Sequence, residues 1–110
     1  VGATDEVWLI LCNAPDADVA AAIARGLVES RQAACVNIGA PVRSVYRWEG
    51  AIEEAVEVPI AIKTTRERYV AVEAAIRAAH PYQVPEIIAV PLTAGLADYL
   101  AWVRAETTPR

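Results

Sequence analysis

Apolar residues along this chain come first as a run, then as a stripe, then in alternation. Val7 to Cys12, reading Val-Trp-Leu-Ile-Leu-Cys, is a nearly continuous apolar run with the length of a buried strand. Asn13-Ala14-Pro15-Asp16 then turns the chain into a helix, with Asp16 and Asp18 in the first turn, where the helix dipole favours carboxylates. Val19, Ile23 and Leu27 recur at i, i+4 and i+8, which predicts an Ala-rich helix running to about Arg31.

From Cys35 the period changes to two. Val36 and Ile38 precede a break at Gly39-Ala40-Pro41, after which Val42, Ser44, Tyr46 and Trp48 alternate with Arg43, Val45 and Arg47. Glu49-Gly50 reads as a hairpin tip, and Glu53-Glu54 on the return strand suggests a bulge. Val58, Ile60 and Ile62 then alternate with Glu57, Pro59, Ala61 and Lys63, and Pro59 implies an edge or an irregularity because it cannot donate to a ladder. Thr64 and Glu67 have the spacing of a capping box, opening a helix with Tyr69, Val72 and Ile76 on one side that must stop at His80-Pro81. Glu86 to Leu92 is a short strand, and Leu96, Leu100 and Val103 mark a third helix.

The order β-α-β-β-α-β-α defines an α+β, ferredoxin-like sandwich with an extra C-terminal helix, both crossover helices packing on one sheet face. At 110 residues the chain has the size of one domain. The other sheet face carries apolar and aromatic positions, Tyr46 and Trp48 among them, which one short helix does not cover. Pairing with further copies of the chain is the expected cover.

Composition sharpens this reading. Hydrophobic residues are 55% of the chain, which excludes intrinsic disorder, and every 18-residue stretch holds a charge, which argues against a membrane span. The net charge is -4 with no basic cluster, so there is no footprint for nucleic acid or an anionic membrane. Val1 to Glu6 lacks the basic and apolar regions of a signal peptide, and the expected location is cytoplasmic. Two cysteines there are free thiols or metal ligands rather than a staple.

Candidate chemistry is sparse. His80 is the only histidine, and neither a nucleophile elbow nor a phosphate-binding glycine loop is present, so an enzyme is not expected. An acylphosphatase-type phosphate site is rejected, because Asp16 and Asp18 would oppose the anion. The densest segment is His80-Pro81-Tyr82-Gln83-Val84-Pro85-Glu86, where two prolines stiffen a loop bearing an imidazole, a phenol and a carboxylate. His80 fits either a helix-terminal donor or a metal ligand, and Glu86 either a surface carboxylate or a partner to it. Cys12 and Cys35, which this reading puts near one end of the sheet, are soft ligands or small buried hydrophobes. Lys63, the only lysine, stands before a helix start suited to an anion.

Five segments stand in the order of one family: Ala33-Ala34-Cys35-Val36-Asn37-Ile38, Ser44-Val45-Tyr46-Arg47-Trp48-Glu49-Gly50, Ile62-Lys63-Thr64-Thr65, His80-Pro81-Tyr82-Gln83-Val84-Pro85-Glu86-Ile87-Ile88 and Tyr99-Leu100-Ala101-Trp102. Over almost its whole length the chain resembles the CutA divalent-cation-tolerance family. The resemblance implies a cytosolic, non-enzymatic homotrimer with no required cofactor, binding copper or another divalent cation. It points to Cys35, His80, Cys12 and Glu86 as metal ligands, and to Lys63, Tyr82, Tyr46 and Trp48 around a cleft between subunits. The architecture is also similar to PII signalling trimers, which implies a small anion in that cleft as the alternative ligand.

Overall fold

The computed structural model describes residues 5–109. Strand β1 (Val7–Ala14) leads to helix α1 (Ala17–Glu29), then β2 (Cys35–Ile38), β3 (Val42–Trp48) and the long β4 (Ala51–Thr65). A 3-10 turn (Arg66–Arg68) precedes α2 (Tyr69–Ala79), β5 (Ile87–Pro91) and α3 (Ala97–Glu106). The strands form an antiparallel sheet in the order β2-β4-β1-β5, with β3 pairing the outer half of β4. This is the expected ferredoxin-like sandwich with its added C-terminal helix.

Strand parity decides what is buried. Ile10, Cys12 and Ala14 of β1, together with Val58, Ile60 and Ile62 of β4, point to the helices. There they meet Ala20, Ile23 and Leu27 of α1 and Val72 and Ile76 of α2 in one core. Trp8 lies edge-on to Tyr69 of α2, with ring centroids 5.7 Å apart. On the other face, Val103 of α3 packs with Val7 and Ala34 and covers one corner. Elsewhere on that face Leu9 and Leu11 are half-buried, and Ile88 and Val90 of β5 are exposed in the single chain.

Helix α1 starts as its sequence predicts, with the Asp16 carboxylate accepting from the Val19 N–H at 2.8 Å. It ends at Glu29 rather than Arg31, because Arg31 turns left-handed at φ 62°. The Arg31 guanidinium then reaches the carbonyls of Ala105 and Thr108 at the end of α3.

Three expectations are corrected. Thr64 caps no helix: it belongs to β4, pairs with Trp8, and its hydroxyl donates to the Gln32 carbonyl at 2.6 Å. No bulge interrupts β4 at Glu53-Glu54, since an unbroken register runs from Val42 opposite Glu57 to Trp48 opposite Ala51. The extra residue lies on the facing strand instead, at Gly39-Ala40-Pro41, between Ile38 opposite Ile60 and Val42 opposite Glu57. Pro59 sits at this break and its carbonyl accepts from Gly39 N–H at 2.8 Å, so the ladder lapses where the proline has no donor.

Cys12 and Cys35 do not share an end of the sheet. Cys12 is level with Ile60 and Cys35 with Lys63, three residues apart along β4, an odd number that places them on opposite faces.

Beyond the break, β3 and the outer half of β4 run as a two-stranded arm, and the molecule measures 46 × 26 × 23 Å. The arm closes through Glu49 (φ 49°) and Gly50 (φ 82°), two left-handed residues that make a two-residue hairpin of the primed type.

Candidate functional site

The stiff segment after α2 is anchored by one imidazole. His80 follows the last helical residue, its backbone N–H donating to Ile76 O at 2.8 Å, and its ring turns inward to 6% exposure. The Tyr82 N–H donates to His80 Nδ1 at 3.2 Å. A ring nitrogen that accepts carries no proton, so the proton is on Nε2, which donates to the Asn13 carbonyl at 2.7 Å. His80 thus caps no helix carbonyls with its ring. It ties the loop to the end of β1.

Asn13 completes the tie from its side chain, where Nδ2 donates to Glu86 Oε1 at 3.4 Å. One residue of β1 therefore holds both ends of the 80–86 loop. The His80 and Tyr82 rings are 4.5 Å apart, which fixes the phenol over the adjoining space.

That space is a cleft of about 640 Å³ between the loop, the end of β1 and the arm. Tyr46, Trp48, Tyr82 and Glu86, all expected at a ligand site, line it together. Glu57 and Asn13 line it too. In the sequence, Glu57 shows only as one polar residue in an alternating strand and Asn13 only as a turn residue. The available signal for Glu57 is its parity with Ser44, Tyr46 and Trp48 across the hairpin. Burial, then the Glu57 charge and a hydrogen bond to that carboxylate, push the Tyr82 phenol above its ordinary value.

The remaining candidates lie elsewhere. Lys63 is six residues further along β4 than Glu57 and donates to Asn37 Oδ1. Cys12 is buried in the core, its thiol pushed up to about 11 by burial first and then by the Glu86 and Glu57 charges. Cys35 is half-buried on the opposite face beside Tyr99 of α3, whose phenol is raised by burial and then by that thiol. Among the described residues, no group of three or more His, Cys, Asp or Glu side chains is placed to hold a metal ion. No described helix is long and apolar enough to cross a membrane.

The fold and the arm define a ferredoxin-like α+β protein whose sheet face and hairpin are left open. The profile of the family described as CutA1 divalent ion tolerance protein matches residues 8–106, and the chain belongs to that family. Over 99 residues it is 42% identical to the divalent-cation tolerance protein CutA of Thermus thermophilus, covering 90% of this chain and 96% of that one. Its fold matches the crystal structure of CutA from Xylella fastidiosa with a TM-score of 0.91 at 41% identity, covering 94% of this chain and 99% of the other. CutA1 from Oryza sativa matches with a TM-score of 0.92 at 32% identity, over 97% of this chain and 98% of that one.

Proposed function

We propose that this divalent-cation tolerance protein works as a non-enzymatic homotrimer that takes up copper or another divalent ion, in the cytoplasm and without a required cofactor. The observation carrying the trimer is the arm: Val45, Ile52 and Val56 on one side and Tyr46 and Trp48 on the other are exposed in the single chain. An isolated two-stranded ribbon is marginally stable in water, and apolar side chains on both its faces call for a partner. The open sheet face, with Ile88 and Val90, extends the same surface. Two free thiols suit a reducing compartment.

For the metal, this reading ranks its ligands by what each must give up. Cys35 is reachable on the open face and is the first choice for a soft ion such as Cu(I). Glu86 is exposed at the cleft rim. His80 must release the Asn13 carbonyl or the Tyr82 N–H to coordinate, and Cys12 must come out of the core. A complete ligand set therefore calls for side chains of more than one subunit. The small-anion alternative gains nothing from the cleft, whose charged lining is Glu57 and Glu86.

Native mass spectrometry of the reduced protein with Cu(I) and with Cu(II) tests both halves. The expected spectrum is a trimer with copper in integral steps, the uptake falling in Cys35→Ser. A monomer overturns the assembly, and a metal-free trimer overturns the copper reading.

A further inference from the structure

The cleft beside the 80–86 loop has a chemistry that metal uptake does not use. Its charged lining is of one sign, Glu57 and Glu86, with no Lys, Arg or His among the lining residues. Glu57 is only 8% exposed, yet no described ion pair involves it. Its nearest polar neighbour in the cleft is the Tyr82 hydroxyl, which could give at most one proton to a carboxylate with about four acceptor positions. A Glu is rarely so little exposed without a charge partner, and the side open to Glu57 is the cleft. Nothing on the arm supplies a cation, because Arg43 and Arg47 of β3 project from its opposite face and Arg43 is bound to Glu54, while Lys63 of β4 is six residues away and donates to Asn37.

The rest of the lining says which cation fits. Tyr46 and Trp48 from the arm and Tyr82 from the loop present aromatic surface to the same space. Among the described residues no three His, Cys, Asp or Glu side chains converge on a metal position, and three aromatic rings offer a hard divalent ion no ligand. A primary ammonium ion instead brings three N–H donors for carboxylate oxygens and a carbon chain that packs on aromatic faces. We propose that the cleft between Glu57, Glu86, Tyr46, Trp48 and Tyr82 binds an alkylammonium ion, its charged head on the carboxylates and its carbon chain on the rings. The cavity, about 640 Å³, lies within the usual range for small-molecule sites. The two readings share Glu86, but the metal reading turns on Cys35 and this one on Glu57, so either can fail without the other.

The test is calorimetric titration of the assembled protein with butylammonium chloride, and separately with sodium butyrate, at constant ionic strength. Butylammonium is expected to saturate at one per chain, with binding weakened about tenfold or more in Glu57→Gln. Butyrate, with the same type of carbon chain and the opposite charge, is expected to give no binding. Glu86→Gln, at the exposed rim of the cleft, is expected to weaken butylammonium several-fold and serves if Glu57→Gln does not fold. No butylammonium uptake, equal uptake by a folded Glu57→Gln protein, or equal binding of butyrate overturns the proposal. So does dissociation of Glu57→Gln into monomers with no amine bound by the parent, because Glu57 then answers a cation from a second copy.

Discussion

Two isoleucines on one strand set the body of this protein against its arm. Ile62 and Ile52 both belong to β4, yet Ile62 is 0% exposed and Ile52 is 62% exposed. Ile62 is flanked by β1 and β2 and covered by α1 and α2, whereas Ile52 has only β3 beside it. Burial here follows from how many layers the topology stacks on a position, because residue type and strand are the same. A strand whose outer half keeps core-like residues without a second layer fits the proposed assembly, in which another copy supplies that layer.

The largest expected effect is at the buried end. Ile62→Ala should lower stability by about 2–5 kcal/mol in urea denaturation, the usual loss for a core isoleucine. Ile52→Ala should cost the dilute chain less than about 1 kcal/mol and act instead on assembly, read as a lower trimer fraction in sedimentation. Equal losses in both would abolish the distinction between body and arm.

At the junction of the two regions, His80→Ala leaves the Asn13 carbonyl and the Tyr82 N–H without their partner. A loss of about 2–4 kcal/mol is expected, with hydrogen exchange at Tyr82 speeding more than exchange in α1. Uniform speeding across the chain would mean that the imidazole does not hold the loop.

Gly50→Val tests the arm alone. Gly50 is left-handed at φ 82°, and a Cβ there would meet nothing within 4 Å, so the penalty is purely backbone strain of about 1–2 kcal/mol. The expected outcome is a weakened trimer with α1 and α2 intact by circular dichroism.

The smallest effect is chemical. At pH 8 a Cys12 thiol pushed up to about 11 is ionised in about one molecule in a thousand, so iodoacetamide should label Cys35 and spare Cys12 in the folded protein. The sign for stability follows: the folded state holds the Cys12 proton longer than the unfolded chain does. Its contribution is complete below the unfolded value and lost as pH rises towards about 11. Labelling of Cys12 at the rate of Cys35 would show the core open at that point.

What the sequence made legible is local periodicity, and what it hid is register. Val7 to Cys12, the Val19-Ile23-Leu27 stripe and the stop at His80-Pro81 each declare an element through neighbours within a few residues. Thr64 misleads because its spacing to Glu67 is a helix-start pattern, while the competing claim, pairing with Trp8, comes from 56 positions away. Glu53-Glu54 misleads for another reason: both faces of the arm are exposed, so no alternation is enforced there and two acidic residues imply no kink. Tyr46, Trp48 and Tyr82 line one cleft with Glu86, while Lys63, expected with them, stands apart. Glu57 joins them through a cross-strand parity that no local window contains, and the same parity separates Cys12 from Cys35.

The break at Gly39 has one more consequence. A Cβ on Gly39 would lie 3.0 Å from the Pro59 ring, so glycine and proline fit there as matched parts. Antiparallel ribbons can slide by two residues and still match inside to inside and outside to outside. Here any such slide would carry Pro59 out of its notch and set a ring without a donor against a regular strand. The notch therefore acts as a keyed joint, fixing how far the arm projects and bringing Trp48 and Tyr46 level with the His80 loop in every copy.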